Sequence, residues 1–180
     1  MLSGDKVRLR AIELDDLDDI MTWINDPEVN RYLLVGLWPY SREAEREWVE
    51  RRVKSSDPTD KALVIETLDG TYLGGIGLHN IDFPSGVAEL GIVIGRKDYW
   101  GKGYGTDAMK VLLRHAFHNL RLRKVILAVF HSNVRAQRCY SKIGFREVGR
   151  LKAHRLRQGQ YEDLIHMEVF KEEFERACEG

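Results

Sequence analysis

The sequence predicts a mixed α+β fold, with a mostly antiparallel central sheet flanked by helices. Two observations carry this. Hydrophobic periodicity, read along the chain, gives the element order β-α-α-β-β-β-α-β-α-β-β. Within that order a run of hairpins precedes one βαβ unit whose first turn is rich in glycine, which suits a mixed sheet better than a doubly wound parallel one.

Each element has its own signal. Residues 7–12 read as an opening strand, and residues 14–24 as a helix with Leu14, Leu17, Ile20, Met21 and Ile24 at helical spacing. Asn25-Asp26-Pro27 stops that helix, because the residue before proline disfavours the helical region. Ser41 is the expected cap of a second helix through Val53, with acidic residues in its first turn. Residues 61–68 and 71–78 form a hairpin across Asp69-Gly70, a pair suited to a positive-φ turn. Residues 88–95 give another strand, and residues 106–120 an amphipathic helix burying Ala108, Met109, Leu112, Leu113, Ala116, Phe117 and Leu120. Residues 124–130 are almost wholly apolar, as a strand covered on both faces would be. Asn133 caps a short helix that Gly144 ends, and residues 145–151 and 161–170 complete the sheet, with the basic run Arg150, Lys152, His154, Arg155 and Arg157 read as a loop between them.

Bulk properties narrow the function classes. At 180 residues without repeats or linkers, one domain spanning 1–180 is expected. Formal net charge is zero, so general attraction to nucleic acid or an anionic membrane is not indicated. There is no apolar run of membrane-spanning length, and Cys139 and Cys178 have no metal or CxxC spacing; the expectation is a cytoplasmic protein without a metal site. Charge is nonetheless uneven: residues 108–146 hold no Asp or Glu but nine Lys or Arg, which suits a polyanionic small ligand, while Asp15, Asp16, Asp18 and Asp19 cluster near the start. His115 and His118 share a helix face, yet no Cys, Asp or Glu near them in sequence completes a metal set, so they read as surface or interface residues.

The chemistry begins at Gly101-Lys102-Gly103-Tyr104-Gly105-Thr106, which lies between a strand and a helix. Glycines allow close backbone approach to a phosphate, and free N–H groups at a helix start point towards it. A P-loop would need GxxxxGK followed by Ser or Thr, which is absent. A dinucleotide fingerprint would need a glycine at the sixth position, where Thr106 stands, and an acid about 20 residues on, where Arg123 and Lys124 stand. On the loop alone, a purely structural turn remains open.

A wider pattern adds to the loop. Ala88-Glu89-Leu90-Gly91-Ile92-Val93-Ile94 followed by Tyr99-Trp100 and the glycine loop resembles the cofactor motif of the GCN5-related N-acetyltransferases (GNAT). Asn133-Val134-Arg135-Ala136, Tyr140 and Gly144-Phe145 resemble the next motif of that family. Trp23-Ile24-Asn25-Asp26-Pro27-Glu28-Val29 and Gly159-Gln160-Tyr161-Glu162-Asp163 are similar to signatures of its RimJ/RimL branch, named for enzymes that acetylate ribosomal-protein N-termini. The chain departs from the family at Trp100, where Gln or Arg is usual; backbone amides can bind pyrophosphate without that side chain.

The resemblance implies a GNAT-like, acyl-CoA N-acyltransferase fold whose sheet splays between the fourth and fifth strands. It implies acetyl-CoA as donor, CoA as product, and direct attack by a primary amine without a covalent enzyme intermediate. Ile92, Val93 and Ile94 would pair with pantetheine through their backbone, and an amide of that strand would stabilise the oxyanion. Trp100, Gly101, Lys102, Gly103, Tyr104, Gly105 and Thr106 would hold the pyrophosphate, and Asn133 would contact the cofactor besides capping its helix. Tyr140 is the expected general acid for the leaving thiolate, and Glu89 the base or acceptor-orienting carboxylate, with His79 second. The acceptor implied is a protein N-terminal amine; a polyamine or aminoglycoside is the alternative, and a non-catalytic acyl-CoA-binding module a third. A homodimer is compatible with the residues, not required by them.

Overall fold

The computed structural model describes residues 2–33, 38–157 and 159–179. Its elements are β1 (Leu2–Ser3), β2 (Val7–Ala11), α1 (Asp16–Met21), α2 (Pro27–Asn30), α3 (Arg42–Lys54), β3 (Lys61–Thr67), β4 (Tyr72–Asp82), β5 (Val87–Ile94), α4 (Tyr104–His118), β6 (Lys124–Phe130), α5 (Val134–Lys142), β7 (Arg146–Arg157), β8 (Gln160–Phe170) and α6 (Lys171–Glu179). A 3-10 turn, Lys97–Tyr99, precedes the glycine loop. The strands form one eight-stranded sheet in the order β1-β2-β3-β4-β5-β6-β8-β7. Pairing is antiparallel for β1–β2, β2–β3, β3–β4, β6–β8 and β7–β8, and parallel for β5–β6. The parallel ladder joins only Val87–Glu89 to Lys124–Ile126, although the two strands are eight and seven residues long.

The expected elements are present, with differences that have local causes. The first helix is shorter than its apolar spacing suggested, and residues 22–25 form turns. Pro27 starts the short helix α2 instead of merely ending the previous one, because a proline at the first helical position loses no bond, and Asp26 caps it by accepting from Glu28 N. The basic run at 150–157 is strand, not loop: β7 extends through Arg157, with register shifts against β8 between Glu147 and Gly149 and between Leu151 and Arg155. Strand β6 is buried at Val125, Leu127, Val129 and Phe130, with Ile126 and Ala128 half-buried. Helix α6 and the two-residue β1 carry too few residues of clear period for the sequence reading to have marked them.

The chain divides into two compact units. The first is Met1–Asn80 with Gly91–Leu112. Its core gathers Ile12, Leu17, Ile20, Trp23, Ile24, Val29, Val49, Val64 and Tyr72, with Trp48, Val93 and Trp100 packed against them. Beside that core Arg10 spans two buried carboxylates, Asp16 at 2.6 Å and Glu66 at 2.6 Å, and Arg8 also bonds Glu66. The second unit is Ile81–Leu90 with Leu113–Gly180. It buries Phe117, Val125, Leu127, Val129, Ile143, Phe145, Ile165, Met167, Val169 and Phe174, and the rings of Phe117 and Phe174 lie 5.5 Å apart.

Candidate active site

Within the first unit, the glycine loop opens helix α4. Gly101 (φ +72°) and Gly103 (φ +87°) are both left-handed, a conformation that costs other residues energy. A Cβ on Gly101 would meet nothing within 4 Å, so the backbone there faces open space. The first intrahelical bond runs from Asp107 N to Gly103 O at 3.0 Å. The amides of Tyr104 and Gly105 precede it and have no intrahelical carbonyl to meet, which is the arrangement that receives anions at a helix start. Gly105 lies against Ile92 and Ile94, whose side chains approach its Cβ position at 3.9 and 3.7 Å. The residues present therefore fit a diphosphate: an open backbone turn, donors at a fifteen-residue helix, and no side chain filling the turn at Gly101.

Three contacts brace this loop, and the sequence reading gave none of them. The Asp107 carboxylate accepts from the backbone of Lys6 (2.8 Å) and Val7 (3.0 Å), so an acid in the first turn is turned onto the β1–β2 hairpin. Lys6 reaches back, its Nζ donating to Lys102 O at 2.9 Å and lying 5.6 Å from the Tyr104 ring centre. Neither residue sits in a recognisable motif, and only their hundred-residue separation in sequence closing in space reveals the link. Trp100, at the family's variant position, donates from Nε1 to Ile94 O at 2.7 Å. The indole thus ties the loop to the end of β5, and one lone pair of the Ile94 carbonyl is already used.

The signature at Trp23–Val29 acquires a physical meaning. Gly95 is buried, and a Cβ there would overlap the Trp23 ring, so the indole packs directly on the backbone where β5 ends. Asp26 and Glu28 hold Lys97 of the 3-10 turn at 2.8 and 2.9 Å. Asn25 clamps Tyr40 by accepting from its N (2.8 Å) and donating to its O (2.9 Å). The segment acts as a bracket for the strand end and the approach to the glycine loop.

In the second unit, Asn133 caps α5 through its side chain, which accepts from Ala136 N at 3.2 Å. Gln137, which the sequence reading did not single out, donates from Nε2 to Phe130 O (3.1 Å) and His131 O (2.8 Å) and so fixes α5 to the end of β6. Tyr140 is half-buried on α5, its ring 6.0 Å from that of Phe145. Burial pushes its phenol up, as does neighbouring Cys139, against a smaller lowering by Arg135. Glu89 is half-buried opposite Ile126 in the parallel ladder. Gly144 (φ +98°) ends α5, where a Cβ would come within 2.9 Å of Glu173 O.

Other marked residues have structural partners. His118 Nε2 lies 3.6 Å from Glu175 of α6, and among the described residues no group of three or more His, Cys, Asp or Glu could hold a metal. Arg150 pairs with Glu147 (3.2 Å) and Asp163 (3.5 Å). In the early acidic cluster Arg10 pairs with Asp16 and Arg42 with Asp18. His79 is different. Its Nδ1 lies 2.6 Å from Asp60, and Asp60 also takes Arg52 at 2.8 Å.

Residues 6–146 match the acetyltransferase (GNAT) domain family. The chain belongs to the GNAT family. The matched span of this GNAT domain runs from Lys6 to Arg146 and contains the glycine loop, Asn133 and Tyr140. The spermidine N(1)-acetyltransferase of Escherichia coli (strain K12) is 31% identical over 175 residues, covering 97% of this chain and 91% of that protein. A Bacillus subtilis (strain 168) protein, named provisionally as the ribosomal N-acetyltransferase YdaF, is 27% identical over 178 residues, covering 96% and 95%. The solved spermidine N-acetyltransferase from Vibrio cholerae, in complex with CoA and spermine, superposes with a TM-score of 0.84 at 26% identity, covering 93% of this chain and 97% of that one. This GNAT domain is an N-acetyltransferase. Among its described residues, no helix is long and apolar enough to cross a membrane.

Proposed function

We propose that this enzyme moves the acetyl group of acetyl-CoA onto a primary amine of a small polyamine. The observation that carries the donor half is the left-handed Gly101–Gly103 turn, with free first-turn amides behind it. Tyr104 and Gly105 would donate to the diphosphate, with Lys102, Gly103 and Thr106 completing the turn and Lys6 adding a positive charge nearby. The backbone of Ile92, Val93 and Ile94 would run beside the pantetheine, with Asn133 a further contact. When bound, acetyl-CoA supplies an activated thioester, so the protein needs no nucleophile of its own. Tyr140, kept protonated by its surroundings, would give a proton to the departing sulfur, and Glu89 would orient the acceptor's ammonium.

Support for the polyamine comes from the spermidine acetyltransferases among the similar proteins and from Glu45. That glutamate, in the first turn of α3, is buried, and burial alone raises its carboxyl. Among the described residues none offers it an opposite charge, and an incoming ammonium would do so. A second reading, a protein N-terminal amine as in the RimJ/RimL branch, draws on the Trp23–Val29 and Gly159–Asp163 signatures and on the similarity to YdaF.

Thiol release from acetyl-CoA is to be measured with spermidine, spermine, an aminoglycoside and peptides with free N-termini. Turnover with the polyamines and none with peptides is expected; the reverse selects the N-terminal reading. CoA should raise Tm for the wild type, and Gly103→Val should abolish the rise, because a β-branched residue cannot adopt φ near +87°. An unchanged rise in that variant removes the loop from the reading, and tight CoA binding without turnover on any amine leaves a binding module.

A further inference from the structure

We propose that Asp60 and His79 form a proton-accepting dyad for the acceptor amine, with Arg52 holding the carboxylate in place. The inference rests on the acetyltransferase reading above and adds the group that deprotonates the amine. Every residue in it belongs to the first unit.

His79 sits near the end of β4. A carboxylate only accepts hydrogen bonds, so the 2.6 Å contact with Asp60 Oδ1 places a proton on Nδ1, and in the neutral ring Nε2 then carries the lone pair. That second nitrogen lies over glycine. A Cβ built on Gly91 would fall 3.3 Å from Nε2, and one on Gly77 would fall 3.1 Å from it. His79's own strand β4, at Gly77, and the neighbouring strand β5, at Gly91, thus lack side chains where the imidazole lies, and Gly91 directly precedes Ile92, Val93 and Ile94. The side chain is 34% exposed, enough for a small amine or a water to reach it.

Asp60 is itself held. Arg52 of α3 lies 2.8 Å from its other oxygen, and Arg52 stacks on Trp48 at 5.4 Å. Burial would raise the Asp60 carboxyl, but the hydrogen bonds from His79 and Arg52 outweigh it and keep the group below the ordinary range. Asp60 bonds the imidazole and Arg52 lies behind that carboxylate, while Gly91 of β5 lies beside the ring.

The proton balance is simple. His79 Nε2 takes one proton from the acceptor ammonium and passes it to water, Asp60 stabilising the imidazolium meanwhile. The amine nitrogen then bonds to the acetyl carbon as the carbon–sulfur bond breaks. The proton this nitrogen sheds on becoming an amide balances the one taken up by sulfur. A polyamine amine, with a pKa near 10, needs such a base more than an N-terminal amine near 8 does.

The test compares wild type, His79→Gln, Asp60→Asn and Asp60→Glu. His79→Gln should lower kcat with spermidine about 100-fold or more while leaving the CoA-induced Tm rise intact. Nitrogen NMR of the imidazole should report an Nδ1-protonated ring in the wild type and a ring protonated on Nε2 in Asp60→Asn, which should lose activity that Asp60→Glu partly restores. Full turnover in His79→Gln, or the same tautomer in wild type and Asp60→Asn, overturns the dyad. Loss of the Tm rise in the wild type would instead defeat the acetyl-CoA reading beneath it.

Discussion

The carboxylate of Asp107, one turn into α4, receives the backbone N–H groups of Lys6 at 2.8 Å and Val7 at 3.0 Å. An acid in that turn would repel a diphosphate if it faced the ligand, because a helix start favours one anion site rather than two. Turned onto the hairpin, it steadies the loop instead. Asp107→Ala should cost about 1–3 kcal/mol of stability by leaving these amides unpaired. It should also reduce the Tm rise that CoA produces. An undiminished rise at saturating CoA would show that the brace does not shape the loop.

Gly95→Ala tests the packing of Trp23 on the strand end. The new methyl would overlap the indole ring, and forcing it apart should cost about 1–3 kcal/mol. Denaturant unfolding measures the loss, and a change of Trp fluorescence should accompany it. A neutral result would mean that Trp23 can move without disturbing β5.

Tyr140→Phe isolates the phenol. Since its surroundings push that group above the ordinary tyrosine value of about 10, it remains protonated throughout the neutral range and can give up a proton but not act as a base. The variant should bind CoA normally and lose kcat about 100-fold. Retained kcat would assign Tyr140 to packing against Phe145 alone.

Glu66 should make the fold acid-labile. Burial raises this carboxyl, but hydrogen bonds from Arg10 and Arg8 override that and hold it below its ordinary 4.5. Its stabilising contribution is therefore complete above pH 4.5 and declines as pH falls through the lowered native value. Glu66→Gln should lose about 1–3 kcal/mol at pH 7 and show a flatter decline of Tm into acid. Parallel Tm curves for both proteins would contradict the linkage.

Glu45 should act with the opposite sign. Its carboxyl is raised by burial, so its favourable protonated state is lost as pH climbs from 4.5 through the native value, and ionised Glu45 weakens the fold at pH 7. Glu45→Gln should raise Tm at pH 7 and also raise KM for spermidine. A stabilised variant with unchanged KM would leave Glu45 outside the acceptor's reach.

The local signals settled much of this protein before any tertiary contact was known. Hydrophobic period set the major strands and helices, Asn133 and Ser41 capped helices as their chemistry demands, and Gly101, Gly103 and Gly144 fell where left-handed backbone was required. These features depend on residues within a few positions of one another, so a linear reading reaches them. What only the folded chain decided depends on pairs far apart in sequence: Asp107 with Lys6, Trp23 with Gly95, and Asp60 with His79. It also placed Asp16 and Asp18 of the early acidic cluster in ion pairs and the basic run at 150–157 in a strand. Charge and hydrogen-bond partners are chosen by proximity in space, and side-chain type alone does not say which partner proximity will supply.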